Sequence, residues 1–98
     1  PMTQPLPIEF NWNPDKATAN ERRHGVTFEY ATEIFEDPNR QDREDDRQDY
    51  GEERRITVGT INARVYVVTY TERNGAIRLI SARKANYREQ QNHAATYW

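Results

Sequence analysis

Residues 77–89, IRLISARKANYRE, gather Arg78, Arg83, Lys84 and Arg88, together with Glu89, around one strand-to-helix junction. A guanidinium presents a planar fork of donors that matches a phosphate, and lysine adds a mobile point charge. The chemistry this cluster suits is capture of a polyanion; plain solubilising surface is the alternative. Any of these arginines could instead form a structural ion pair, and for Arg83 the acidic candidates are Glu53 and Glu72. Other site chemistries have little support. His24 and His93 lie far apart and fit no metal-ligand spacing. The carboxylates of residues 36–53 lack the ordered ligands and central glycine of a calcium loop. There is no phosphate-cradling glycine loop and no serine or cysteine nucleophile motif.

The elements that must position these cations follow from local patterning. Ile8, Phe10 and Trp12 alternate with Glu9 and Asn11 in strand fashion. Asn13-Pro14 predicts an N-cap and first helical residue, and Gly25 a helix stop, with Asp15 in the first turn and Arg22, Arg23 and His24 in the last, as the helix dipole favours. Thr27 caps a second short helix, whose stripe of Phe28, Ala31, Ile34 and Phe35 is core and which Pro38 closes. Three strands follow at about 53–60, 63–72 and 77–83, joined by tight turns at Ile61-Asn62 and Asn74-Gly75. Asn86 and Glu89 form a capping box that starts a last helix near Tyr87. The order β-α-α-β-β-β-α implies an α+β domain with a small antiparallel sheet, two N-terminal helices and a C-terminal helix. In strict alternation, Arg54, Ile56 and Val58 share a face opposite Arg55 and Thr57. Ile77, Leu79, Ser81 and Arg83 share a face opposite Arg78, Ile80 and Ala82. Which face the helices cover is open, because both are partly apolar.

The bulk numbers set the frame. Ninety-eight residues suffice for one modest core, and 35% hydrophobic with 31% charged residues lies near the polar edge of globular chains. Residues 1–7, PMTQPLP, carry no basic head followed by an apolar core and read as a disordered lead-in to a single domain over 8–98. No apolar run approaches the roughly 20 residues that cross a bilayer, and the lack of cysteine fits a reducing cytoplasm. The net charge of −2 is uneven. Residues 36–53 hold nine acidic and three basic side chains and read as a solvated acidic loop, which leaves a mildly basic body compatible with nucleic-acid binding.

Several residues then fall into a familiar order: Trp12, Asp15, Lys16 and Asn20; Arg23-His24-Gly25-Val26 with Phe28 and Ala31; Glu53-Arg54 and Gly59; Tyr70-Thr71-Glu72-Arg73; and Arg78-Leu79-Ile80-Ser81-Ala82-Arg83-Lys84-Ala85 with Glu89. Over about residues 8–90 the chain resembles the BrnT-type toxins of bacterial type II toxin–antitoxin systems. It departs from their pattern at Arg23, where lysine is common, at Asn13, where aspartate is common, and in its richer acidic stretch. The resemblance implies a RelE-like ribonuclease fold, a growth-arresting endoribonuclease that needs no metal or other cofactor, and a ribbon-helix-helix antitoxin of the BrnA type. DNA would be reached only through that antitoxin. The rival reading is a non-catalytic module that partners a DNA-binding subunit as co-repressor.

RNA cleavage of that kind needs a base for the 2′-OH, cations for the pentacoordinate phosphate and an acid for the leaving oxygen. The candidates are Arg54 and Arg83 for phosphate stabilisation, Glu53 as base, and His24 as acid with Lys16 as an alternative donor. Arg78, Lys84 and Arg88 would steer the RNA backbone. His24, at a helix C-terminus, is expected to hold its proton, whether for catalysis or only as a cap. Trp12 and Tyr70 either stack on bases or pack in the core.

Overall fold

A computed structural model of the chain describes residues 8–97; the expected lead-in, residues 1–7, lies outside them. The elements run β1 (Phe10–Asn11), α1 (Pro14–His24), α2 (Phe28–Ala31) continued by a 3₁₀ turn (Thr32–Glu36), β2 (Gln41–Glu44), β3 (Arg55–Ile61), β4 (Arg64–Arg73), β5 (Ala76–Lys84) and α3 (Tyr87–Tyr97). This is an α+β architecture on one five-stranded mixed sheet ordered β1-β5-β4-β3-β2. The first strand is where the sequence placed it, but its pairing is not antiparallel, and a further strand was not expected. β1 adds to β5 in parallel, Phe10 opposite Ile77 and Asn11 opposite Arg78. β2 forms inside the supposed acidic loop and pairs antiparallel with β3.

Local signals work where they are strong. The Asn13 side-chain oxygen accepts from the backbone N–H groups of Asp15 (2.8 Å) and Lys16 (3.2 Å), and Gly25 ends α1 at φ 69°. The β4–β5 turn is Asn74-Gly75, with φ of 52° and 81°. The β3–β4 turn falls one residue later than expected, on Asn62-Ala63, because Ile61 is buried and pairs with Arg64.

The helices cover one face only. Val26, Phe28, Ala31 and Ile34 pack on Ile61, Tyr66, Val68, Leu79 and Ala82. At Gly59 a Cβ would meet Ile34 Cγ1, Asp37 Oδ2 and Arg40 Cβ within 3.0 Å, so the 3₁₀ turn lies directly on β3 there. Trp12 meets the edge of Phe28, and buried Tyr70 meets the edge of Phe35; both aromatics are core. The second face is thinner, with Ile56, Val67 and Ala85 flanked by Val58 and Val65, and α3 approaches it through Glu89 and His93.

A β-bulge changes which face carries the arginines. Thr69 pairs with Ser81 and Tyr70 with Leu79, so Ile80 has no opposite residue. Leu79 and Ala82 therefore both enter the helix-covered core, against the strict alternation expected from sequence. Arg83 shifts to the second face, opposite Val67. The register across β2, β3, β4 and β5 aligns Arg43, Ile56, Thr69 and Ser81, which puts Arg43, Arg54, Arg78 and Arg83 on that same face.

The acidic stretch is not a free solvated loop. Asp42 accepts from Arg40, Arg55 and the Tyr70 hydroxyl. Asp45 is buried, clasped by Arg47 at 2.7 Å through both oxygens and bonded by Tyr50. Carboxylates so bonded contribute order rather than a diffuse negative field, which is why this segment can form a strand.

Candidate phosphate-binding and catalytic site

Past Arg78 the outer edge of β5 has no strand partner, because β1 covers only Ile77 and Arg78. An unpaired buried edge is costly, and α1 resolves it with one side chain. Asn20 is buried; its amide nitrogen donates to the carbonyls of Ala82 (2.8 Å) and Val26 (3.0 Å), and its oxygen accepts from Ala82 N–H (3.0 Å). Asn20 so replaces a missing strand and pins α1 alongside β5.

Two adjoining recesses open along this flank, each of about 210 Å³. The first is lined by Lys16, Glu52, Arg54, Arg73 and Arg78, and the second by Lys16, Asn20, Arg23, His24 and Ser81. Lys16 and Ile80 belong to both, so the flank is one groove. Four cations against a single carboxylate line the first recess. Arg73 donates to Glu52 Oε2 at 2.8 Å, and hydrogen bonding from Arg73 holds the Glu52 carboxyl below its ordinary range. Arg78 donates to Asn11 Oδ1 at 2.9 Å.

Arg54 is the unusual member. It sits just before β3, where its carbonyl accepts from Asp45 N–H at 2.7 Å, and its guanidinium stacks 4.0 Å from the Tyr50 ring centroid. Its Nε is buried and has no hydrogen-bond acceptor; Glu52 Oε1 lies 3.5 Å away without a bonding geometry. A guanidinium held by this stacking, paired with Glu52 and lining a recess with three other cations, is suited to take an anionic oxygen.

Arg83 has a different partner from either expected carboxylate. Its two terminal nitrogens donate to both oxygens of Glu89, at 2.7 and 2.8 Å. His24 is half-buried, and burial, followed by the charges of Arg23 and Arg83, pushes its pKa below the ordinary 6.5. Desolvation and two guanidinium groups thus act on His24 against the helix dipole, which favours its proton.

The remaining candidates are dispersed. Glu53 pairs with Arg55 at 3.1 Å and lines a neighbouring recess with Glu52, Arg55, Thr71 and Glu72, which shares Glu52 with the groove but none of Lys16, Arg54 or His24. Lys84 is exposed opposite Tyr66 on β4, and Arg88 is exposed on α3. Arg78 and Lys84 are six strand residues apart, roughly 20 Å, so the expected trio of steering cations does not converge. Arg73, Glu52, Asn20 and Tyr50 had no role in the sequence account. Arg73 and Asn20 stood within the quoted motifs, but nothing local marks them as groove residues. Among the described residues no group of three His, Cys, Asp or Glu side chains is placed to hold a metal ion, and no helix is long and apolar enough to cross a membrane.

A search of the curated proteins finds no match. A family model described as "Ribonuclease toxin, BrnT, of type II toxin-antitoxin system" matches residues 12–89. That span takes in Lys16, His24, Arg54, Arg83 and Glu89, and by it the chain belongs to the BrnT family of ribonuclease toxins.

Proposed function

We propose that the α1–β5 groove is the RNA-cleaving site of this ribonuclease toxin and that it works without a metal. The observation that carries this is the convergence of Lys16, Arg54, Arg73 and Arg78 on one recess against the single carboxylate of Glu52. In this scheme Arg54, Lys16 and Arg78 seat one phosphate of the RNA. Arg83, released from Glu89, forks onto the scissile phosphate and stabilises its pentacoordinate charge. Neutral His24, near enough to feel the charge of Arg83, takes the 2′-OH proton. Lys16, common to both recesses, donates to the leaving oxygen. Glu53, paired with Arg55 elsewhere, has no step. The family resemblance supports a ribbon-helix-helix antitoxin as the neutralising partner and the only route to DNA. An RNA target and a cysteine-free chain support action in the cytoplasm as one domain over residues 8–98.

The test is induction of the protein alone in a bacterial host, followed by growth and RNA profiles. Growth arrest with loss of intact RNA is expected. Profiles identical to an empty vector, with soluble protein present, would refute the reading and leave the co-repressor role.

A further inference from the structure

Glu89 does two things with one carboxylate. Besides its two bonds to Arg83, its Oε1 accepts from Asn86 N–H at 2.9 Å, while Asn86 Oδ1 accepts from Glu89 N–H at 2.8 Å. The cap that starts α3 and the clasp on Arg83 are thus mechanically one unit. A carboxylate bound two-pronged by a guanidinium occupies the place and charge of a phosphate.

The hold of the first turns of α3 on the sheet is weak in kind. Among the side chains described, its inward positions are Glu89, Gln90 and His93, polar residues at helical spacing, and its first residue, Tyr87, is 76% exposed. Gln90 donates to Ala85 O at 3.3 Å. A first turn that docks through polar contacts has little apolar burial to lose on leaving. Other cations surround the clasp: Arg43, whose charge is felt by Glu89, and Arg47, whose charge is felt by Arg83. Arg43 lies on the same sheet face as Arg83 and lines the pocket that holds Glu89 and His93.

We propose that Glu89 is a built-in competitor for phosphate, and that an RNA phosphate binds Arg83 and Arg43 only by displacing the first turn of α3. This rests on the ribonuclease reading for the identity of the ligand, though not for the existence of the anion site. The free protein is in this view held back by its own C-terminal helix. The clasp is partly solvent-screened, with side chains 38% and 28% exposed. A pair of that exposure keeps Arg83 occupied for roughly 80–90% of the time, which weakens apparent phosphate affinity by about five- to tenfold.

Glu89→Gln removes the charge yet keeps a side chain that serves a capping box. Two probes are titrated into the full chain: a 2′-O-methyl RNA oligonucleotide, followed by fluorescence anisotropy, and inorganic phosphate, followed by the NMR shifts of the arginine Nε–H groups. The variant is expected to bind both about five- to tenfold more tightly, and the gain should vanish in the Glu89→Gln/Arg83→Ala double variant. Should Glu89→Gln fold poorly, Asn86→Ala loosens the same turn and is expected to give a smaller gain with the carboxylate intact. Wild-type binding of RNA with no gain in either variant overturns the proposal and leaves the ribonuclease reading standing. A phosphate gain that depends on Arg83, without RNA binding, supports the anion site and refutes RNA as its ligand. No gain with either probe overturns the proposal outright.

Discussion

Replacing Asn20 by alanine should disable the protein through a side chain whose amide is spent on backbone hydrogen bonds. The substitution leaves Ala82 N–H, Ala82 O and Val26 O without the partner that now satisfies them. Each buried orphan costs about 1–3 kcal/mol. The β-carbon that remains leaves room for water to repair part of the loss, so a net destabilisation of about 3 kcal/mol is expected. For a domain of this size that lowers Tm by roughly 12–20 °C. The same bonds fix α1 against β5, so Lys16 and His24 should lose their registration with Arg83, and cleavage at temperatures where the variant is still folded should fall too. Aspartate is no rescue, because its oxygens would face two carbonyls. Thermal unfolding by circular dichroism, with cleavage of a labelled RNA measured 20 °C below each midpoint, separates the two effects. A Tm loss under 4 °C with full activity would show that Asn20 neither completes the β5 edge nor positions α1.

Three further outcomes follow from the same geometry. Arg83→Ala should lower kcat about a hundred- to thousandfold with Arg83→Lys recovering only part, whereas Arg54→Ala should act mainly on KM; equal effects on both parameters would remove the division of labour. With His24 as base, kcat/KM should rise with pH along a limb centred below 6.5, since its pKa is lowered, and His24→Gln should abolish the limb; an unchanged profile assigns the base elsewhere. Asp45 has its pKa held down to about 2, chiefly by hydrogen bonds from Arg47, so the unfolded chain takes up that proton first and stability is lost as pH falls from about 4 towards 2. Because Arg47 is largely exposed, the loss is about 1–2 kcal/mol, and Asp45→Asn should flatten that part of the stability–pH curve in urea titrations.

The parts of this protein written within a few consecutive residues were legible directly. Asn13, Pro14 and Gly25 bound α1, Asn74-Gly75 makes the turn, and Asn86 with Glu89 starts α3, because caps and tight turns are satisfied by neighbours within four residues. The cation-rich 77–89 junction was visible too, and with it the family, since ordered motifs survive without knowledge of contacts. The acceptor that claims Arg83 was not legible. Composition offered Glu53 or Glu72, and only the chain reversal into α3 puts Glu89 there. Nor could alternation foresee the bulge at Ile80, which arises where β4 and β5 must keep both Leu79 and Ala82 in the core and so turns Arg83 to the opposite face. The pairing of half-buried Asp42 and the burial of Asp45 depend on Arg40, Arg55 and Tyr70, or on Arg47 and Tyr50, being folded around them. His24 makes the same point about charge. Its place at a helix C-terminus and the neighbouring Arg23 are local facts that pull the proton in opposite directions, whereas the Arg83 guanidinium that also lowers its pKa comes from a strand far along the chain. Pairing and dielectric are properties of the assembled fold, and they decide which of the many charged residues can act.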